Sequence, residues 1–447
     1  MQVSVETTGA LERRMTVAVP AEELEQAVVD RLRRLSRNVK MPGFRPGKVP
    51  LKMVEAQYGG RVLEEVAGEL IQASFREAVG REGLRPAVGP VIEPKRLGRG
   101  QDLEYVATFE VYPEVEPRDL AGVTVERPRC QVEEADVDRT LERMRQQRVQ
   151  WRPTDAPAAE GDRLVIDFEA RRDGQPVEGG QGRDFELVVG RGSGLADLDR
   201  ALEGARAGET REVDLTLPED YPNRALAGQT LHFSVQVKEV GRPELPEIDA
   251  EFARQFGIQD GSLETLRREV RANLERELAE RMRLVIRDRV LGALLEANPL
   301  EVPAGLVEQE AEQILKANRQ ALARAGVPED RLPADRAPFR EQARRRVTLG
   351  LLLGELARRW ALKADPERVR AAVERMAEPY EDPQAFIQWH YGEPGRLAEV
   401  EAGVVEDMLV ERLLESAQVV EKPVSFSEFM VSGQAADKQP AEDTAQT

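Results

Sequence analysis

Between Leu11 and Val19 the apolar side chains fall at even spacings, with Leu11, Met15, Val17 and Val19 sharing one side. After Pro20 the interval lengthens to three or four, through Leu24, Val28, Leu32 and Leu35. The change of period from two to about 3.6 predicts a strand followed by a helix. Val62, Val66, Leu70, Phe75 and Val79 outline a second helix ending near Gly83, and Leu103, Tyr105, Ala107, Phe109 and Val111 alternate as a strand with one buried face. Residues 1–112 therefore read as an α+β domain whose two helices are joined by a loop.

Residues 113–150 read as a bridge. Pro113, Pro117 and Pro128 punctuate an extended start, and Val132, Val137, Leu141 and Met144 mark an amphipathic helix. Trp151-Arg152-Pro153 is read as the opening of a Pro/Ala-rich linker, and Gly241 to Pro246 as the linker that closes a domain over 151–243. Within it Leu164/Ile166/Phe168, Phe185/Leu187/Val189, Val213/Leu215/Leu217 and Leu231/Phe233/Val235/Val237 give four strands, and Leu198, Leu202 and Ala205 face one side of a short helix.

From residue 244 to 432 the pattern is helical. Leu263 to Leu294 repeats every three to four residues, enough for one helix of roughly 45–50 Å at 1.5 Å per residue. Further helical patterns cover 304–324, 340–362, 366–378 and 397–417, with Pro303, Pro333, Pro338, Pro366 and Pro383 as breaks. Leu349, Leu351, Leu352, Leu353 and Leu356 suggest a crossing between helices. Residues 433–447 lack apolar groups to bury and read as disordered.

Composition narrows the chemistry. The 447-residue chain is 41% apolar and 33% charged, with a net charge of −18 and no run of 18 apolar residues, which predicts a cytoplasmic protein with no membrane partner. A lone Cys130 excludes an intrachain disulfide or thiolate cluster, and His232 and His390 alone make a zinc site or a Ser-His-Asp triad improbable. His232 alternates with Leu231 and Phe233 in a strand and reads as structural. Gly190, Gly192 and Gly194 lack the βαβ context of a dinucleotide loop, and no Gly-x-x-x-x-Gly-Lys-Ser/Thr motif occurs. No cofactor and no metal are expected.

Against that acidic background, residues 30–52 carry eight cations and Asp30 alone, a net of +7. The stretch includes Gly43-Phe44-Arg45-Pro46-Gly47-Lys48-Val49-Pro50, in which two prolines and two glycines make a stiff turn presenting Phe44, Arg45 and Lys48. Such a tip is suited to a polyanionic partner, although the same turn chemistry also serves a plain tight connection. The acidic total argues against DNA, so any nucleic-acid contact is local.

The Gly-Phe-Arg-x-Gly-x-x-Pro loop resembles the ribosome-docking signature of the bacterial trigger factor family. Met1-Gln2-Val3-Ser4-Val5-Glu6, Phe109 to Val115 and Ala343 to Glu355 resemble that family too, in the same order over residues 1–432. The resemblance implies a multidomain α+β protein with three main parts. These are an N-terminal α+β ribosome-binding domain, an FKBP-like antiparallel β-sheet with a short helix, and an extended all-α C-terminal chaperone domain. It implies docking at the ribosomal exit-tunnel protein and rRNA through Gly43, Phe44, Arg45, Pro46, Gly47 and Lys48, nascent and unfolded polypeptides as clients, and a homodimer away from the ribosome.

The segment 151–243 resembles FKBP-type prolyl isomerases, with Gly204-Ala205-Arg206-Ala207-Gly208-Glu209 as the turn after the helix. The positions matching that pocket are Phe168, Val177, Glu178, Phe185, Leu195, Leu198, Tyr221 and Phe233. An aromatic ring is replaced at Val177, before the acid Glu178, and Leu195-Ala196-Asp197-Leu198 stands where the family has Ile-Pro-Gly-Phe. A blunted isomerase is the expectation. A free-standing isomerase with dimerising helices, and an adaptor without clients, remain open readings of the same residues.

Overall fold

The computed structural model describes residues 1–42, 44, 49–172, 174–190, 196–218, 227–378, 380 and 382–431, with the backbone alone at 178, 179 and 196. The tail expected to be disordered, 433–447, lies outside them.

Strands β1 (Gln2–Thr7) and β2 (Glu12–Val19) lead into α1 (Ala21–Asn38) and α2 (Leu51–Arg81), followed by β3 (Val91–Arg96) and β4 (Leu103–Glu110). The sheet runs β1-β2-β4-β3, and every pairing is antiparallel. Pro20 and Pro50 stand immediately before the two helices, where a fixed φ helps and a missing N–H costs nothing. Met15, Val17 and Val19 of β2 are buried with Leu24, Val28 and Leu32 of α1 and Val54, Val62, Val66 and Phe75 of α2. Phe75 meets Phe109 edge-on at 5.2 Å.

Then come β5 (Thr124–Arg129), α3 (Glu134–Gln147), β6 (Gln150–Pro153), β7 (Arg163–Arg172), β8 (Gln175–Val188), α4 (Ala196–Leu202), β9 (Thr210–Thr216) and β10 (Thr230–Glu244). The second sheet is ordered β6-β10-β7-β8, with β9 also on β10. Both stretches read as linkers are therefore strand: Trp151 lies opposite Pro243 and Pro153 opposite Gly241. Their prolines concealed them, because a short ladder at a sheet margin tolerates residues that cannot donate. Gly241 keeps the contact close, since a Cβ there would come within 3.2 Å of the Trp151 Cβ. The core of this sheet is Leu164, Ile166, Leu215, Leu231, Val235 and Val237, closed by Leu198 and Leu202 of α4.

The remainder comprises α5 (Ala250–Gln255), α6 (Leu263–Ala297), α7 (Ala304–Arg324), α8 (Arg340–Arg359), α9 (Pro366–Ala377), α10 (Pro383–Tyr391), α11 (Pro394–Ser416) and β11 (Gln418–Pro423). The short α5 and α10 escape a periodicity reading, yet each has an aspartate cap: Asp249 accepts from Phe252 N–H at 2.9 Å, and Asp382 from Ala385 N–H at 3.0 Å. None of the helices among the described residues is long and apolar enough to cross a membrane.

The chain divides into two compact units, residues 1–127 with 284–422 and residues 128–283 with 423–447. In the first, Leu352 and Leu356 of α8 cross Val290, Leu291 and Leu294 of α6 and Leu409, Val410 and Leu413 of α11, as the leucine run predicts. Leu120 and Val125 of the bridge join that cluster. In the second, Val137 and Leu141 of α3 bury against Phe252 of α5 and Leu266, Val270 and Leu274 of α6.

Candidate functional site

Three strands bring three aromatic rings together. Phe168 of β7 meets Phe185 of β8 edge-on, with centroids 5.8 Å apart and planes at 89°, and meets Phe233 of β10 at 6.1 Å and 44°. Edge-to-face contacts of this kind are favoured by the ring quadrupole. Phe233 is 8% exposed and Phe185 47%, so one ring forms a floor and the other a rim. Leu198 of α4 is buried in the same apolar cluster, and Val177 packs at its margin. Of the expected pocket residues, Leu195, Tyr221 and the side chain of Glu178 lie outside the described residues.

Two features of β8 were not legible as pocket residues. A Cβ at Gly182 would overlap the Phe168 ring, so glycine is what lets that ring lie across the strand. Asp184 adopts φ 52°, in the left-handed region, immediately before Phe185. The run Gly179-Gly180-Gln181-Gly182 inside a strand carried the hint, because glycine there signals a bulge or a close approach.

Among the described residues the floor is apolar and offers no nucleophile. Burying the planar amide of a Xaa-Pro bond against such rings removes water from its polar ends, which penalises the conjugated ground state more than the twisted form. The barrier to be lowered is about 18–20 kcal/mol. His232 does not enter the cleft. It is half exposed on β10, with Nδ1 2.7 Å from Asp214 Oδ1 and Nε2 3.0 Å from Glu212 Oε2. The hydrogen bond to Asp214 raises its pKa above the ordinary histidine value. No group of three or more His, Cys, Asp and Glu side chains among the described residues could hold a metal ion.

At the α1–α2 junction, Val49 is buried and Val39 and Met41 are partly buried against the N-terminal core. They anchor both feet of a loop on which Phe44 is 38% exposed, its N–H donating to Met41 O at 3.1 Å. Gly43, Arg45, Pro46, Gly47 and Lys48 lie outside the described residues. The local excess of +7, which already sets Asp30 against its partner Arg33 at 3.2 Å, overstates the available charge, because Arg31 pairs with Glu65 at 2.6 Å and with Glu69. Both acids facing Arg31 come from α2, which a count along 30–52 could not include. Arg34, Arg37, Lys40 and Lys52 are exposed and have no ion pair among the described residues.

An exposed apolar group gathers around α10. Tyr380 stacks on Phe386 at 4.3 Å, Phe386 contacts His390 at 4.4 Å, and the Arg396 guanidinium covers Trp389 at 3.7 Å. Tyr380, Trp389 and Tyr391 are each about half exposed, with Met376 nearby in sequence on α9.

The chain is similar to known proteins along almost its whole length. Residues 1–144 match the family model described as bacterial trigger factor protein, residues 262–415 its C-terminus, and residues 154–238 the FKBP-type peptidyl-prolyl cis-trans isomerase. Trigger factor of Thioalkalivibrio sulfidiphilus is 46% identical over 432 residues, covering 96% of this chain and 98% of that one. That of Aromatoleum aromaticum is 45% identical over 430 residues, covering 96% and 99%. A solved structure of the trigger factor chaperone covers 93% of this chain at 20% identity with a TM-score of 0.48. Identity near 45% along almost the whole length, with both trigger factor segments and the isomerase segment in order, shows that this chain belongs to the bacterial trigger factor family and carries an FKBP-type prolyl isomerase domain.

Proposed function

We propose that this chain is a cytoplasmic chaperone that docks on the ribosome through the tip carrying Phe44, meets nascent chains with its helical region, and isomerises prolyl bonds in the cleft of Phe168, Phe185 and Phe233. The observation that carries the reading is Phe44 itself: a phenylalanine 38% exposed, on a loop whose feet are anchored in a core. An apolar ring held out in water between exposed cations is suited to a surface offering both protein and phosphate. Gly43, Arg45, Pro46, Gly47 and Lys48 belong to the same tip by family resemblance, and exit-tunnel protein with rRNA is the partner it implies.

Clients are held by exposed apolar side chains set among charges. Tyr380, Trp389 and Tyr391 supply such a surface without a fixed sequence code. Release then needs no nucleotide, only weak contacts and folding of the client. Leu195, Leu198 and Tyr221 complete the isomerase pocket in this reading. Leu198 in place of an aromatic ring makes the reaction slower than in a fully aromatic cleft. A homodimer away from the ribosome would cover part of the client surface.

The holding function is tested by light scattering of a denatured, proline-free client. The full chain should suppress aggregation. A Tyr380→Ser, Trp389→Ser, Tyr391→Ser variant should lose most of that suppression while isomerising a Xaa-Pro tetrapeptide at the wild-type rate. Full suppression by the triple variant would place the client surface elsewhere.

A further inference from the structure

We propose that Asp167 is a positioning residue of the isomerase cleft: it holds the β8 bulge at Asp184 in shape, and so sets the edge-on approach of Phe185 to Phe168. The inference rests on the isomerase reading of that cleft.

Strand register carries the argument. Along β7 and β8, Ile166 lies opposite Phe185 and Phe168 opposite Gly182. Between those pairs β7 contributes Asp167 alone, while β8 contributes both Arg183 and Asp184. Two residues against one is a β-bulge, a device that re-aims a side chain. On the other side of β7, Gln236 of β10 lies opposite Asp167, and the register shifts between Val237 and Glu239, leaving Lys238 as the extra residue. Asp167 therefore stands on the central strand between two bulges.

Its carboxylate joins them. Oδ1 accepts the Asp184 N–H at 2.8 Å, and the Lys238 ammonium lies 3.5 Å from the same oxygen. Lys238 also pairs with the Asp184 carboxylate, closing a triangle across three strands. The bond supports Asp184 at φ 52°, a left-handed conformation open to glycine, asparagine and aspartate but still less favourable for an aspartate than the extended strand on either side. The Asp184 N–H is also the first cause holding the Asp167 carboxyl below the ordinary aspartate range, with the Lys238 charge adding to it.

Asp167 alternates with Ile166 and Phe168, so its side chain leaves the sheet on the face opposite the rings. It acts on the cleft only through the backbone of Asp184 and Phe185. If Asp184 returned to an ordinary strand conformation, the residues after it would slip toward the other face, taking the Phe185 ring away from Phe168. Phe185 is half exposed, so core packing does little to hold it in place.

The test uses the full-length chain. In Xaa-Pro peptide isomerisation, Asp167→Ala should lower kcat/KM about fivefold or more, mainly through KM. Asp167→Asn, whose amide oxygen can still accept the Asp184 N–H, should stay within about twofold of wild type. Combining Asp167→Ala with Phe185→Leu should fall no further than Phe185→Leu alone, since one change acts through the other. Additive losses, or an unchanged Asp167→Ala, would overturn the assignment. Fluorine NMR of chain labelled with 4-fluorophenylalanine, with the Phe185 signal identified from Phe185→Leu, gives a second readout. That signal should move in Asp167→Ala and hold in Asp167→Asn, and a signal that stays put in Asp167→Ala overturns the proposal. If wild type itself fails to isomerise peptides, the isomerase reading falls, and the fluorine signal still decides whether Asp167 positions the ring.

Discussion

Glu110, the last residue of β4, caps α7: its Oε2 accepts the Gly305 N–H at 2.8 Å while Oε1 accepts that of Ala304 at 2.9 Å. The first N–H groups of a helix have no partner within it, and a carboxylate there also meets the positive end of the helix dipole. Gly305 permits the approach, because a Cβ would lie 2.7 Å from Val88 Cγ2. A single side chain thus ties the N-terminal sheet to the first turn of α7.

Replacing it should have a local signature. Glu110→Ala is expected to cost about 1 kcal/mol, the usual worth of a helix cap, and to speed hydrogen exchange at the amides of Ala304 and Gly305. Exchange measured by mass spectrometry checks this, with β1 and β2 as the unaffected reference.

The two pocket positions that lost rings should respond differently. Val177 sits at the margin of the apolar cluster, so Val177→Phe should raise kcat/KM several-fold; a tenfold gain needs only about 1.4 kcal/mol. Leu198 is 7% exposed, and a larger ring there should cost about 1–3 kcal/mol through overpacking. Peptide kinetics and thermal melts of the two single variants separate the effects.

How far the residues announce this arrangement depends on the range of the interactions. Strands β2 and β4 and helices α1 and α7 follow from local period, because each buries one face against a single core, and α6 follows from it too although its two halves bury in different clusters. The β6–β10 ladder did not, since Trp151 and Pro243 are 92 positions apart and both lie in proline-rich stretches. In the candidate cleft, Phe168, Phe185 and Phe233 were legible as residue types on strands. The roles of Gly182 and Asp184 were not, because a bulge is set by register between strands and leaves only a glycine-rich trace. The same limit explains Arg31, whose charge is met by Glu65 and Glu69 from the next helix.

His232 predicts a pH dependence. Its folded pKa is raised, chiefly by the Asp214 hydrogen bond, above an unfolded value of about 6.5. The imidazolium therefore contributes stability that is fully present below about pH 6.5, while Asp214 and Glu212 remain ionised, and that fades as pH rises through the folded pKa. Denaturant unfolding of the wild type between pH 6 and 9 should show this decline. His232→Gln should flatten it.

The α7–α8 pair is expected to soften in salt. Its core is small, Val307, Ala311, Ile314 and Ala343, and partly exposed ion pairs supplement it: Arg340–Glu308 at 2.6 Å, Arg346–Glu310 at 3.0 Å and, from just ahead of α8, Arg336–Glu308 at 2.7 Å. Exposed pairs contribute roughly 0.2–1 kcal/mol each and are screened within about 3 Å at 1 M salt. Hydrogen exchange in α7 should rise between low and high salt by more than in the β7–β10 ladder.

Ribosome docking through Phe44 is tested most directly by co-sedimentation of the full chain with ribosomes at rising salt. Wild type should pellet with ribosomes at low salt and progressively less as salt screens the phosphate contacts. Phe44→Ala should stay in the supernatant with thermal stability changed by no more than about 0.5 kcal/mol, because the ring is exposed. Equal pelleting of Phe44→Ala and wild type across the salt series would contradict docking through this tip.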